Sequence, residues 1–255
     1  MALLRKGSDR QSGIGVLQPM QMNQDIWKAV AKSKELLEAG AVSEASDLVA
    51  VSVEGASIRN EASGKFRNLI VAGPPRSGKS LLADQVKQLT AGAIVNCDTI
   101  SRAYHGLPDA EKRLEAMDQI YSAIFRRCSF GLIIVGDEFV TRDCASGMGI
   151  DFMNIYKQSF DVKALVIGCD QDSVDQKFSC IEEWRKTRSC WTNRNPRFSS
   201  EESRKRLANY IIGRSKNIRR ICQENDIDYR SIHSSSFMED IGRISQEISS
   251  SLRAI

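Results

Sequence analysis

Between residues 69 and 82 the chain reads LIVAGPPRSGKSLL. Gly73, Pro74, Pro75, Arg76, Ser77, Gly78, Lys79 and Ser80 satisfy the spacing G-x-x-x-x-G-K-[ST], placed after an apolar run and before SLLADQVKQLT, which has the pattern of a helix. Glycines at the two ends of the octet permit a tight turn and a close backbone approach. Backbone N–H groups aimed from such a turn and from a helix N-terminus gather an anion. The chemistry expected is the grip of a nucleoside triphosphate along Gly73 to Leu81, with Lys79 reaching the β- and γ-phosphates and the Ser80 hydroxyl on Mg²⁺. ATP is expected rather than GTP, since no Asn/Thr-Lys-x-Asp run occurs.

Other groups that can do chemistry follow apolar runs further on. In NCDTISRAYH, Asp98 can take a proton from a hydroxyl, and Arg102, one helical turn later, can hold an anion. The alternative for Asp98 is the cap of a helix starting at Thr99. In GLIIVGDEF, Asp137 and Glu138 follow the run LIIV after an intervening Gly136. Residues 182–206 hold eight Lys or Arg against four Glu, with Arg185, Arg188, Arg194 and Arg197 in a Trp-, Asn- and Pro-containing stretch that reads as a loop.

The elements that must position these groups are strands and helices in alternation. NLIVA (68–72), AIVNC (93–97), LIIV (132–135), ALVIG (164–168) and IDYRSI (227–232) are the candidate strands, mostly continuous apolar runs of the kind buried on both faces of a parallel sheet. Between them, the segment from Pro108 places Leu114, Met117, Ile120, Tyr121, Ile124 and Phe125 at helical spacing. SFMEDIGRISQEISSSLRAI places Phe237, Ile241, Ile244, Ile248 and Leu252 on one stripe. The expected fold is α/β: an open, doubly wound, mostly parallel sheet of five strands in a three-layer α/β/α arrangement. Ahead of it, residues 1–22 read as a flexible tail. Residues 23–60 read as a helical extension: one helix from Asn23, and a shorter one capped by Ser43 with EGASIRNEASGK as linker. The main domain spans 61–255.

On the octet and its strand-loop-helix setting, residues 67–255 resemble the P-loop NTPases, most of all the small nucleotide and small-molecule kinases. The resemblance implies that Asp98 with Arg102 ends the second strand on the acceptor side. It implies that Asp137, with Glu138 next, is a Walker B-like acid serving Mg²⁺. It implies that the basic stretch after the fourth strand is a lid, whose Arg185, Arg188 and Arg194 close over the phosphates. The function so implied is transfer of the γ-phosphate of Mg-ATP to a small-molecule or nucleotide acceptor, with Lys79, Asp98, Asp137, Glu138 and Arg188 as the catalytic set. Alternatives are an ATPase whose hydrolysis drives a partner, and a polynucleotide 5′-hydroxyl or toxin-like kinase. Acceptor pockets would come from residues 101–110 and 141–160, which carry no motif.

Composition is that of an ordinary globular chain: 255 residues, 42% hydrophobic, 27% charged, with a net charge of +4. So mild a charge does not select nucleic acid, which stays a minor expectation carried by Trp184, Trp191 and Phe198 beside the basic stretch. Seven scattered cysteines without a Cys-x-x-Cys pair read as reduced thiols of a cytoplasmic protein, with no zinc site. No apolar run reaches the ~18 residues of a membrane span, and no secretory leader is read at the start. His105 and His233 have no recognisable chemical partner. Residues 23–60 are the candidate surface for a protein partner or self-association.

Overall fold

The computed structural model describes residues 24–58, 66–104, 110–140, 149–169, 174–176, 178–179, 182, 200–233 and 235–252. Five strands form its sheet: β1 (Leu69–Ala72), β2 (Ala93–Asn96), β3 (Leu132–Gly136), β4 (Lys163–Gly168) and β5 (Asp228–Ser231). They lie in the order β2-β3-β1-β4-β5, and every pairing is parallel. The expected mixture is thus a purely parallel sheet, with each apolar run in its anticipated place. Burial on both faces explains the runs. In β1, Leu69 and Val71 enter one apolar layer and Ile70 and Ala72 the other. β5 has the sequence DYRS and stays half-buried at the edge, where Arg230 donates to Asp228 at 2.7 Å and to Glu247 at 3.1 Å. Charge on an edge strand discourages pairing with another chain.

One face is covered by α3 (Lys79–Thr90) and the C-terminal α8 (Phe237–Leu252). Leu82, Ala83 and Val86 of α3 meet Ile241, Ile244 and Ile248 of α8 over Val71, Ile133 and Ile167. The other face carries α4 (Cys97–Tyr104), α5 (Ala110–Arg127), α6 (Gly149–Ser159) and, beside β4 and β5, α7 (Glu201–Glu224). Helices α1 (Gln24–Glu38) and α2 (Val42–Ile58) lie over α4 and α5. Ile26, Val30, Val49 and Val53 join Ile120 and Ile124 in one continuous core, where each fully buried aliphatic side chain contributes about 1.5–3 kcal/mol.

Three helix boundaries stand where the sequence did not place them. Helix α2 starts at Val42, with the Ala41 carbonyl accepting from Ala45 N–H, so Ser43 lies inside it rather than capping it. It also runs into the expected linker as far as Ile58, where Ala56 is buried, and Ser46 and Ser52 return their hydroxyls to the carbonyls of Val42 and Leu48 within it. Helix α7 begins within the basic stretch 182–206, beyond the part read as a loop: the Ser200 hydroxyl accepts from Ser203 N–H, so residues 201–206 are helical. Among the described residues, no helix is long and apolar enough to cross a membrane.

Candidate nucleotide-binding site

The octet lies at the centre of the sheet's carboxyl end, between β1 and α3. Its shape is fixed from behind. A methyl group on Gly73 would stand 2.2 Å from the Ile167 carbonyl oxygen of β4 and 2.7 Å from Ser77 Oγ, so only glycine fits against that strand. Gly78 takes φ 96°, in the left-handed region, and a Cβ there would come within 3.0 Å of the Phe237 ring. Arg76 also takes a left-handed φ, 63°, which costs a non-glycine residue about 1–2 kcal/mol. Helix α3 then opens on Gly78 without a side-chain cap, leaving its first N–H groups for an outside acceptor.

Two polar residues of this turn are buried and carry no side-chain partner among the described residues. Lys79 is 9% exposed and has neither an ion pair nor a hydrogen bond among the described residues. Ser77 is fully buried, and its Oγ has no hydrogen-bond partner among them. Buried ammonium groups are ordinarily paired. A backbone cradle that excludes side chains, open helix N–H groups and an uncompensated ammonium together fit a polyphosphate. Ser80 is exposed beside Lys79.

The strand register places the acids relative to this loop. Gly136 pairs with Ala72, so it is the last residue of β3 and Asp137 follows directly, beside Gly73. Neighbouring strands lie about 5 Å apart, so Asp137 flanks the loop and the end of β2 lies one strand further out. Asp137 is half-buried, and its carbonyl accepts from Val140 N–H at 3.0 Å, closing a 3-10 turn over Glu138–Val140. Phe139 is fully buried beneath it, 5.4 Å from the Tyr121 ring and 6.1 Å from Tyr156. Tyr156 in turn donates to Asp118 at 2.7 Å; burial, and then that carboxylate, raise its pKa far above the ordinary tyrosine range.

Asp98 is exposed in the first turn of α4. The helix begins at Cys97, not Thr99, and Asn96 Oδ1 accepts from Asp98 N–H at 2.9 Å. The cap role that competed for Asp98 therefore belongs to Asn96, and Asp98 is an exposed residue at the sheet's carboxyl end. Arg185, Arg188, Arg194 and Arg197, with Trp184, Trp191, Phe198 and His105, lie outside the described residues, as do the side chains of Arg102 and Glu138. Glu182 and Arg204, which are described on either side of those residues, form an ion pair.

Four contributors escaped the sequence reading. Phe237 and Ile241 back the Gly78 turn, although they read only as members of a core stripe. Asp240 Oδ2 accepts from His233 N–H at 2.9 Å and from Ser236 Oγ at 3.1 Å, so His233 acts through its backbone. Burial opposes ionisation of Asp240, yet His233 N–H, the Ser236 hydroxyl and Arg243 outweigh it and hold its pKa below the usual carboxylate value. Arg214 of α7 donates to the Val140 carbonyl at the end of the 3-10 turn. A basic residue inside a helix carries no signal for such a reach.

No family model matches the chain. A curated protein, the tRNA dimethylallyltransferase of Methylocella silvestris, is 33% identical over 76 residues, which is 28% of this chain and 25% of that protein. The chain thus spans about a quarter of the length of the relative it matches. With the octet between β1 and α3 and the all-parallel sheet, the similarity fits a P-loop NTPase-like α/β fold.

Proposed function

We propose that the chain is an ATP-dependent P-loop phosphotransferase. The observation that supports this best is Lys79: a lysine with a buried stem and no anion among the described residues, at the mouth of a loop that Asp137 flanks. When bound, Mg-ATP supplies the phosphoryl group and the charge that Lys79 lacks. The N–H groups at Arg76 and from Gly78 to Leu81 hold its phosphates, since Pro74 and Pro75 have none and Ser77 N–H donates to the Pro74 carbonyl, and Lys79 steadies the group being transferred. Ser80 and Asp137 would hold Mg²⁺, with Glu138 beside them. Asp98, one strand further out, orients a hydroxyl of the acceptor and takes its proton. Arg185, Arg188 and Arg194 offset charge from the basic stretch. The acceptor is a small molecule or nucleotide.

The test is transfer of label from γ-labelled ATP to acceptors supplied as metabolite and nucleotide pools. Asp98→Ala should keep nucleotide binding and lose transfer by about 10²–10⁴-fold. Full transfer in that variant removes Asp98 from the mechanism. Hydrolysis with no labelled acceptor favours the partner-driving ATPase instead.

A second reading rests on the named relative, which by its name moves a dimethylallyl group to tRNA. Here the loop would grip the diphosphate leaving group of an allylic donor, and Asp98 would take the proton from the attacking group of the acceptor. Label would then move from the allyl carbons, and none from the γ-phosphate.

A further inference from the structure

The Asp137–Val140 turn is held from below by Phe139 and from the side by α7. Arg214 Nη2 donates to the Val140 carbonyl at 3.3 Å, while Nη1 donates to Tyr210 Oη at 2.9 Å. The guanidinium lies over the Tyr210 ring, 5.6 Å from its centroid. Tyr210 sits one helical turn earlier on α7, so the planar fork is set by its own helix before it reaches the turn. α7 is itself fastened to the sheet's carboxyl end, because Ser215 Oγ accepts from Cys169 N–H just past β4 at 3.1 Å. The helix therefore delivers, through a guanidinium already held by Tyr210, one hydrogen bond to the last residue of the turn that begins at Asp137.

The geometry points to Arg214 as a positioning residue for the metal side of the site. It touches neither nucleotide nor metal; it fixes the turn from which Asp137 acts. This rests on the reading of Asp137 and Ser80 as the Mg²⁺ side of a nucleotide site. Groups that orient a metal-holding residue from behind cost about 10–100-fold in metal affinity when removed. Lysine cannot replace arginine here, since one ammonium lacks the fork that meets Tyr210 and Val140 together.

The experiment titrates Mg²⁺ against a fluorescent ATP analogue bound to the full chain. Arg214→Ala should raise the Mg²⁺ concentration for half-maximal binding about tenfold, leaving affinity for the metal-free nucleotide unchanged. Arg214→Lys should fall between it and the parent, and Tyr210→Phe should shift the same way by less. A merely structural role would instead weaken both forms of binding together. A parental Mg²⁺ dependence in Arg214→Ala, while Asp137→Asn shifts it, overturns the proposal. If Arg214→Ala does not fold by circular dichroism, parental behaviour in both Arg214→Lys and Tyr210→Phe overturns it equally. If neither Asp137→Asn nor Ser80→Ala changes the Mg²⁺ dependence, the reading of the site itself fails and takes the proposal with it.

Discussion

At Lys79, stability and binding pull in opposite directions. The Lys79 stem is buried and its ammonium meets no anion among the described residues, so a bound polyphosphate is its counter-ion while an apolar side chain suits the empty loop better. Lys79→Met should therefore raise the melting temperature of the nucleotide-free protein and abolish the further rise that nucleotide gives the parent. Differential scanning fluorimetry with and without Mg-ATP reads both, and a fall in the nucleotide-free value contradicts the account. Gly73→Ala should act the other way, losing stability and nucleotide binding together, because its methyl meets the Ile167 carbonyl at 2.2 Å. The octet is fully legible in the sequence, since its glycines, lysine and serine stand at fixed spacing. Its backing is not, because Ile167 and Phe237 are apolar residues of distant elements that only the fold brings to Gly73 and Gly78.

Among the elements, α4 is the one whose start matters most, because it follows β2 without a connecting loop and carries Asp98 in its first turn. Asn96→Ala removes the acceptor for Asp98 N–H and should cost about 1 kcal/mol, measured by urea unfolding. The Asn96→Asp variant keeps a cap and should restore most of it. The strands are legible because parallel pairing buries both faces and leaves continuous apolar runs. Gly136 is the exception: it reads as a spacer before Asp137, yet its pairing with Ala72 makes it part of β3. The beginning of α7 is hidden for a different reason. Its first turn, Glu201 to Arg206, is charged and mostly exposed, so only the Ser200 cap marks it, and a lone serine after a basic stretch is a weak signal. Asp98 was ambiguous for a physical reason too, since aspartate suits both a cap and a site, and only the asparagine two residues earlier decides.

At the scale of the whole molecule, buried thiols join buried tyrosines in weakening the fold at alkaline pH. Burial pushes Cys222 up to about 12, and burial followed by Glu54 does the same for Cys128 against the pull of Arg127. Unfolded thiols titrate near 9.0. Their contribution is thus complete below pH 9 and lost as pH rises towards 12, because the unfolded chain releases these protons first. Melting temperature should fall through that window, and Cys222→Ala should flatten the fall; an equally steep fall in the variant excludes the thiol. Asp240 acts at the other end. Its pKa is lowered, so its contribution is present above the unfolded value of 3.8 and is lost as pH falls below it. The strand order has a further consequence, for synthesis on the ribosome. β1 emerges first but sits in the middle of the sheet, so both its neighbours, β3 and β4, are made later. The surface against which Gly73 is moulded, the Ile167 carbonyl, belongs to the later of the two. A nascent chain that has displayed the whole octet therefore has no mould for it, and nucleotide can assist folding only once translation has passed Ile167.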